Sequence, residues 1–270
     1  MQRKRILLVG PDAYLADGLA ETCRECAEVV PVPRWENRPD DLSGFSHVVN
    51  FTVQGEFSAR ELADEELIDA RIAEEMRDGC SGVFVMLSSR RVYGRHDSPV
   101  LLSEDSPLDP QDPYAVNKVR AESLIRTILP SRSLVLRVAN VLAKPVKRTG
   151  YRTFMGWISE SLAKDGVLTV TENPDTRKDF ISREYLHSAM SALFAGDARG
   201  TVNIGGGFAL PIAEWLRALV PEGRIRFVEN PPPPHDQFIL DVKRLSRFVA
   251  PFTPEDLLAA CAQIRNTLEG

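Results

Sequence analysis

The sequence has no long apolar run and no excess of charge of one sign. No stretch reaches the roughly 18 to 20 apolar residues that a membrane-spanning helix needs, so no membrane association is expected. The 33 basic and 38 acidic residues are interspersed and give a formal charge of −5. This distribution lacks the basic patch that is typical of nucleic-acid binding. We therefore expect a small-molecule partner, and neither a nucleic acid nor a membrane.

Cysteine and histidine are also scarce. The four cysteines show none of the regular spacing of a disulfide scaffold, so we expect a reducing, cytoplasmic location. Cys23 and Cys26 form a C-x-x-C pair. The pair lies within a helical pattern and no further ligands cluster near it, which favours two ordinary helix cysteines over a redox or zinc site. The four histidines are scattered, so no metal site is predicted.

Length and composition are typical of a globular protein that has one large domain, or one domain with an appended lobe. The chain has 270 residues, of which 43% are hydrophobic and 26% charged. Short apolar runs predict buried strands at 6–9, 29–32, 47–53, 83–87 and 134–138. Helical stretches separate them, and those at 63–77 and 113–128 are long enough for right-handed crossovers. We therefore predict an α/β fold, a Rossmann-like doubly wound parallel sheet.

The regular alternation of strands and helices ends after about residue 141. A polar loop, a helix at 154–164, a short strand at 167–171 and a proline-rich stretch follow. The four prolines at 231–234 indicate a stiff connector rather than a polyproline ligand. We predict that residues 1–142 form the Rossmann domain, rejoined by about 178–204. The remaining segments, 143–177 and 205–270, would form a smaller substrate-binding lobe.

The segment that surrounds Tyr114 carries the most informative local pattern. Asp112 is a favourable helix N-cap and Pro113 a favourable first helical residue, so Tyr114 falls in the first helical turn. Lys118 follows four residues later on the same face. Its ammonium and the helix N-terminus both favour phenolate over phenol, which makes this tyrosine a candidate general acid or base. The same spacing of Tyr and Lys occurs by chance in many helices, so the surrounding residues must show whether this pair is catalytic.

That context is the carboxyl end of the strand at 83–87, which continues directly into Ser88 and Ser89. Open α/β sheets bind their ligands at this edge. A hydroxyl there can hold a substrate carbonyl, or it can cap its own backbone. Ser89 stands 25 residues before Tyr114, so a single loop can bring the two side chains together.

Five segments resemble motifs of the extended short-chain dehydrogenases/reductases, the nucleotide-sugar epimerase/dehydratase family. Residues 88–94 resemble S-S-x-x-V-Y-G, residues 114–118 resemble Y-x-x-x-K, and residues 136–141 resemble L-R-x-x-N-V. Residues 177–185 are similar to R-D-F-x-x-V-x-D, and residues 202–207 to N-x-G-x-G. Each motif alone is weak, but all five occur in the family's order over nearly the whole chain.

The resemblance implies an NAD(P)-dependent oxidoreductase that moves a hydride between a nicotinamide and a carbinol or ketone carbon. By this resemblance Tyr114 would be the general acid/base and Lys118 would hold the nicotinamide ribose. Ser89 would hydrogen-bond the reacting oxygen, with Ser88 in support. Asn140 and the Arg177-Lys178 pair would bind substrate near a diphosphate. Arg91 is a further substrate-binding candidate, because its guanidinium could face an anionic substrate group.

The turn after the first strand departs from the family's G-x-x-G-x-x-G loop. Gly10 is present, but Ala13 and Ala16 stand at the second and third glycine positions. A methyl group at the second position narrows the approach of a pyrophosphate to the backbone N–H groups, so weakened cofactor binding is expected. The cofactor-binding residues would be Gly10, Ala13, Tyr14, Leu15, Arg34 and Lys118.

The end of the second predicted strand bears on the choice between NAD and NADP. No acidic residue ends it to bind a ribose 2′-hydroxyl, whereas Arg34 stands where it could meet a 2′-phosphate. NADP is therefore favoured over NAD.

Arg90 and Arg91 occupy positions where dehydratases and decarboxylating members of the family carry acidic residues. We therefore predict a ketoreductase that acts on a nucleotide-linked keto-sugar or a similar polar ketone. The alternative is a nucleotide-sugar epimerase with tightly bound NAD. An alternative of another class is a non-catalytic dinucleotide-binding or sensing protein.

Two further expectations follow from the resemblance. Extended members usually dimerise through two helices, here 63–77 and 113–128, so a homodimer is expected. The chain is also shorter than most members, and we expect the shortening in loops and in the substrate lobe.

Overall fold

The computed structural model describes residues 3–144 and 154–268. The strands are β1 (Lys4–Val9), β2 (Ala27–Val32), β3 (His47–Asn50), β4 (Val83–Ser89), β5 (Leu101–Leu102), β6 (Ser133–Val138), β7 (Asn140–Leu142), β8 (Leu168–Val170), β9 (Arg177–Lys178), β10 (Phe180–Ser182), β11 (Gly200–Ile204), β12 (Leu210–Pro211), β13 (Ile225–Phe227) and β14 (Ile239–Leu240). The helices are α1 (Leu19–Cys23), α2 (Ile68–Gly79), α3 (Pro113–Ile128), α4 (Phe154–Asp165), α5 (Arg183–Ala195), α6 (Ile212–Leu219) and α7 (Pro254–Leu268).

The main sheet of the described residues has six parallel strands in the order β11-β6-β4-β3-β1-β2. Successive side chains of a strand point to opposite faces. On β1, Ile6 and Leu8 therefore enter one hydrophobic cluster, while Leu7 and Val9 enter the other. Both faces of the sheet are covered, as the continuous apolar strands of the sequence require. The predicted doubly wound α/β fold is confirmed.

Four two-stranded sheets accompany the main sheet. They pair β7 with β10, β9 with β12, β8 with β13, and β5 with β14. Among the helices, α4 packs against β8, and α6 and α7 pack against each other and against β12 and β10 respectively. In residues 3–144 and 154–268, no helix has both the length and the apolar character that a membrane crossing requires.

The segment after β1 differs from the continuous helical pattern in the sequence. Residues 11–18 form turns, and α1 begins only at Leu19 and ends at Cys23. Two side chains of α5 bind backbone carbonyls of this loop: Arg183 donates to the oxygen of Tyr14 at 3.1 Å, and His187 to that of Leu15 at 2.8 Å. Gly18, directly before α1, has a φ of +95°, so the backbone leaves the right-handed helical conformation there.

Cys26 consequently lies beyond the short helix α1 rather than inside it. Its sulfur is 3.3 Å from the hydroxyl oxygen of Ser191, and all four cysteines are free thiols.

Part of the chain's shortening lies in the sheet itself rather than in loops and the substrate lobe. In the usual doubly wound order a further strand lies beyond the second one, but here β2 is the edge of the sheet. The connection from β2 to β3 contains only a 3-10 turn, Trp35–Asn37. Trp35 is almost fully buried and covers this part of the core.

A buried carboxylate fixes the loop that follows β11. Asp179 is fully buried and accepts backbone N–H groups from Gly206 at 2.7 Å, Gly207 at 3.3 Å and Leu240 at 3.1 Å. Burial raises the pKa of Asp179 to about 7, and the three N–H donors lower it in opposition. A Cβ atom on Gly205 would lie 2.7 Å from this carboxylate, which explains the glycines of the turn.

Asp179→Asn is expected to lower the free energy of unfolding by about 2 kcal/mol, because an amide must point its N–H₂ at one of these donors. Urea unfolding of the two proteins measures the difference. As a control, Asp41→Asn changes an exposed carboxylate that accepts the backbone N–H of Ser43 at 2.8 Å, and should cost less than about 0.5 kcal/mol. Equal effects of the two changes would contradict the assigned role of Asp179.

Candidate active site

Ser89 ends β4 and starts the 3-10 turn Arg90–Tyr93. Its hydroxyl oxygen accepts the backbone N–H of Arg91 at 3.2 Å, so the side chain caps this turn and stays partly exposed. The preceding residue, Ser88, is buried and donates its hydroxyl to Glu122. The strand thus delivers one anchored serine and one accessible serine to the carboxyl edge of the sheet.

Tyr114 lies in the first turn of α3, as the sequence predicts. Asp112 caps the helix by accepting the backbone N–H of Ala115 at 3.0 Å. The Tyr114 ring packs edge-on against Phe57, with 5.5 Å between ring centres. The guanidinium of Arg91 lies 5.0 Å from the ring centre and is paired with Asp112 at 2.6 Å. Arg91 therefore links the turn that starts at Ser89 to the helix that carries Tyr114.

Lys118 lies on the same face of α3, with its ammonium nitrogen 5.9 Å from the Tyr114 ring centre. Only 4% of Lys118 is exposed. Its partner is Asp69 of α2, which is 2% exposed and lies 3.7 Å from the ammonium. The carboxylate also accepts an N–H from Asn50 at 2.7 Å. No spacing in the sequence pointed to Asp69, because it meets Lys118 only through the packing of α2 on α3.

A second buried ion pair includes the carboxylate that binds Ser88 at the end of β4. Glu122 is fully buried and pairs with Arg137 of β6 at 2.7 Å. Arg137 also donates to the Tyr93 hydroxyl at 3.1 Å. Sequence reasoning did not single out Glu122, although its position four residues after Lys118 places it on the same helix face.

A cavity of about 300 Å³ lies beside the Ser89 turn. Aromatic side chains of α4 and α6 line one part of it, and the polar lining includes Arg90, Asn140, Glu172 and Lys178. Of the predicted substrate residues, Asn140 lines this cavity. Arg91 does not, because it turns toward Tyr114; its neighbour Arg90 lines the cavity instead.

Arg177 is also outside the cavity, and its neighbour Lys178 takes the expected place. The Arg177 side chain is exposed and donates to the backbone oxygen of Ala209 at 3.2 Å. The two residues form β9, where neighbours point to opposite sides. This alternation of side chains along β9 explains why Lys178, and not Arg177, lines the cavity.

The predicted cofactor turn starts at the carboxyl end of β1. Gly10 has a φ of +75°, and a Cβ atom there would lie 2.8 Å from a side-chain carbon of Thr52. Ala13 is partly exposed and donates its backbone N–H to the oxygen of Gly10 at 3.0 Å. Tyr14 donates its hydroxyl to the oxygen of Ala143 at 3.1 Å, and burial raises its pKa to about 12. Leu15 packs partly buried against the core.

These residues fit a nicotinamide dinucleotide at the sheet edge. Gly10 has the positive φ that such a turn requires, and the side chains at or just beyond the carboxyl ends of β1, β3 and β4 are small and partly exposed: Ala13, Thr52 and Ser89. Residues 11–18 form turns and α1 begins only at Leu19, so a helix N-terminus does not directly follow the glycine. Arg34 is exposed just beyond the end of β2, where a 2′-phosphate would lie. Lys118 is paired with Asp69 at 3.7 Å, longer than a hydrogen bond, and its ammonium would supply the donors for ribose hydroxyls.

Comparison with known families decides the classification. The model of the NAD dependent epimerase/dehydratase family matches residues 39–205, more than half of the chain. The chain belongs to this family. The resemblance inferred from the five motifs is thereby confirmed. The members of this NAD dependent epimerase/dehydratase family are enzymes of the short-chain dehydrogenase/reductase type, and so is this chain.

Solved structures show the same fold over the full length. UDP-N-acetylglucosamine 4-epimerase from Methanobrevibacter ruminantium M1, in complex with UDP-N-acetylmuramic acid, matches with a TM-score of 0.78 at 15% identity over 100% of this chain and 98% of that one. TunA, an NAD dependent NDP-hexosamine 5,6-dehydratase involved in tunicamycin biosynthesis, gives 0.75 at 19% over 99% and 100%. RMD from Pseudomonas aeruginosa, complexed with NADPH, gives 0.70 at 20% over 99% and 98%.

At these identities the likeness is one of fold. A comparison with curated proteins gives no match.

Proposed function

We propose that the protein is an NAD(P)-dependent ketoreductase that acts on a nucleotide-linked keto-sugar or a similar polar ketone. The observation that supports this proposal is the contact of Arg91, which caps onto Ser89 through its backbone N–H, with the ring of Tyr114 on the helix that also carries Lys118. The short-chain dehydrogenase/reductase family and this set of side chains also favour an enzyme over a non-catalytic sensing protein.

The chain's own residues account for the proton transfer. A bound nicotinamide supplies the hydride. The Ser89 hydroxyl donates a hydrogen bond to the substrate oxygen, and Tyr114 gives that oxygen its proton as the carbonyl is reduced. Phe57 and Arg91 hold the Tyr114 ring from two sides, so that the hydroxyl is oriented before substrate binds.

Arg90 and Arg91 argue against elimination chemistry at this site. Arg90 is held by Asp236, with 2.5 Å for each of two contacts, and Arg91 is held by Asp112. Neither position supplies a free carboxylate beside Ser89. Positions 90 and 91 therefore lack the carboxylic acid that dehydratases of this family carry there.

A nucleotide-sugar epimerase is the second candidate. It would use the same three side chains but return the hydride to the opposite face of the keto intermediate. Its support is the UDP-N-acetylglucosamine 4-epimerase fold, which matches this chain over its full length.

Single-turnover assays with a panel of keto-sugar nucleotides and other polar ketones separate the two candidates. A reductase consumes one equivalent of reduced nicotinamide for each carbinol formed. An epimerase interconverts its substrate without net consumption of cofactor. A protein that catalyses neither reaction with any member of the panel, while binding cofactor, would contradict the proposal.

NADP is the proposed cofactor because of Arg34, whose exposed side chain is held by no ion pair within residues 3–144 and 154–268. We expect Arg34→Ala to weaken NADPH binding at least tenfold, which is the contribution of one charge-assisted contact to phosphate. NADH binding should change less than twofold. Calorimetric titration with both nucleotides measures this. Equal losses of NADPH and NADH binding would contradict a contact between Arg34 and the 2′-phosphate. Arg3→Ala is the control for removal of a surface charge.

A homodimer through the outer faces of α2 and α3 remains a proposal. The exposed side of α2 carries mainly charged residues: Arg71, Glu74, Glu75, Arg77 and Asp78. Such an interface would therefore be polar. The four free thiols support a reducing, cytoplasmic location.

A further inference from the structure

Two side chains of α5 hold the backbone of the turn that follows β1. Arg183 is the first residue of α5, directly after the N-cap Ser182, and His187 comes four residues later on the same helix face. Arg183 donates to the oxygen of Tyr14 at 3.1 Å, and His187 donates to that of Leu15 at 2.8 Å. Both α5 residues are buried. The predicted cofactor turn is therefore tied to a helix that is distant in the sequence.

The contact with Arg183 sets the direction of one backbone N–H group. In a trans peptide unit the C=O and the N–H point in opposite directions. The oxygen of Tyr14 and the N–H of Leu15 belong to the same unit. Because this oxygen is directed at Arg183, the N–H of Leu15 points to the side away from that guanidinium.

The contact with His187 acts on a second N–H group through one more hydrogen bond. The oxygen of Leu15 is directed at His187, so the N–H of Ala16, in the same peptide unit, points back into the turn. It donates to the oxygen of Ala13 at 2.8 Å. This hydrogen bond fixes the peptide unit between Ala13 and Tyr14, and the N–H of Tyr14 is therefore directed out of the turn.

The N–H groups of Tyr14 and Leu15 make no hydrogen bond within residues 3–144 and 154–268. They lie just beyond the carboxyl end of β1, at the edge where open α/β sheets bind their ligands. Neighbouring free N–H groups of a turn are suitable donors to a phosphate oxygen. Since α1 begins only at Leu19, no helix fixes these peptide units, and the side chains of α5 do so instead.

Arg183 is itself held from more than one side. Its guanidinium pairs with the carboxylate of Asp17 at 3.0 Å and lies 5.9 Å from the ring centre of Tyr14. The hydroxyl of Tyr14 in turn donates to the oxygen of Ala143 at 3.1 Å. These contacts leave the guanidinium little freedom to release the carbonyl of Tyr14. The turn is thereby preorganised before a ligand binds, which lowers the entropic cost of binding.

We propose that Arg183 and His187 are positioning residues for cofactor binding. They act through the backbone of the turn, by directing the N–H groups of Tyr14 and Leu15 at the pyrophosphate of a nicotinamide dinucleotide. This preorganisation takes the place of a helix N-terminus directly after the glycine and offsets the narrower approach at Ala13. The inference rests on the proposed function, in which this turn binds the dinucleotide.

The test is calorimetric titration of the full-length protein, stripped of nucleotide, with NADPH and NADH. We expect Arg183→Met to weaken the binding of both nucleotides by the same factor, about tenfold, because both carry the pyrophosphate. Arg183→Lys keeps a charged donor and should bind both within about threefold of the unaltered protein. A loss confined to NADPH would overturn the proposal, since it would place the effect at the 2′-phosphate. Binding by Arg183→Lys as weak as that by Arg183→Met would overturn it too.

The second positioning residue is tested in the same titrations. His187→Leu removes the donor to Leu15, and both nucleotides should bind about threefold to tenfold more weakly. His187→Gln keeps an N–H donor and should bind them within about twofold of the unaltered protein. Unchanged binding by His187→Leu would contradict the role of this residue.

Arg132→Met is the matched control. Arg132 also donates to backbone oxygens, those of Arg77 at 2.9 Å and Met76 at 3.4 Å, but it precedes β6 and so lies at the opposite edge of the sheet. The change should leave the binding of both nucleotides within about twofold. Unchanged binding by Arg183→Met, or an equal loss in Arg132→Met, would overturn the inference while the proposed function stands. Absence of binding by the unaltered protein would overturn the proposed function and the inference together, so the two failures are distinguishable.

Discussion

Tyr114→Phe is expected to lower kcat by about 10² to 10⁴, the usual contribution of a positioned general acid or base. The substitution removes only the hydroxyl group of this residue. Its ring keeps the edge-on contact with Phe57 and the cation contact with Arg91, so cofactor affinity and stability should be retained. Steady-state kinetics on the substrate found in the panel, with calorimetric cofactor binding alongside, measures both parts.

Tyr185→Phe is the matched control for this change. Tyr185 lies on α5, and its hydroxyl donates to the backbone oxygen of Ala250 at 3.2 Å. Neither residue belongs to the proposed site. Removing that hydroxyl should leave kcat within about twofold. A Tyr114→Phe protein that keeps more than a tenth of the activity would contradict the acid/base role.

Asp69→Asn is expected to lower the free energy of unfolding by about 3 kcal/mol or more. Lys118 and Asp69 form a pair whose side chains are 5% and 3% exposed, and removal of one partner leaves a buried charge uncompensated. The same change should raise the Michaelis constant for cofactor, because Lys118 loses the carboxylate that fixes its ammonium. Denaturant unfolding and steady-state kinetics measure the two effects.

The double variant Asp69→Asn with Lys118→Met separates charge from packing. With both charges removed, most of the lost stability should return, since two neutral groups need no counter-ion. An exposed pair serves as the control: Glu21→Gln, which breaks the contact with Arg24 on the surface, should cost less than about 0.5 kcal/mol. If Asp69→Asn also costs less than that, the pair has no structural role.

The fold was predictable because its signals are local. Continuous apolar strands such as β4 report burial on both faces, and the Asp112-Pro113 start of α3 is written in consecutive residues. The short α1 was not predictable. Its apolar spacing is helical, but the loop before it is bound through the carbonyls of Tyr14 and Leu15 by Arg183 and His187, residues about 170 positions away.

The candidate site divides in the same way. Ser89, Tyr114 and Lys118 were predicted from spacing and resemblance, since one strand end and one helix turn carry them. Asp69 became visible only through the packing of α2 on α3. The choice of Arg90 and Lys178 over their neighbours Arg91 and Arg177 depends on which way a side chain leaves a short turn or strand, and the sequence pattern leaves that direction open.

The account depends most on whether the altered turn with Ala13 still binds a nicotinamide dinucleotide. Calorimetric titration of the protein, stripped of nucleotide, with NADPH and NADH measures this directly, after mass spectrometry has identified any nucleotide that is removed. We predict one NADPH bound per chain, at least tenfold more tightly than NADH. Failure of both nucleotides to bind at about 1 mM, where even a weak complex of about −4 kcal/mol would form, would contradict the account.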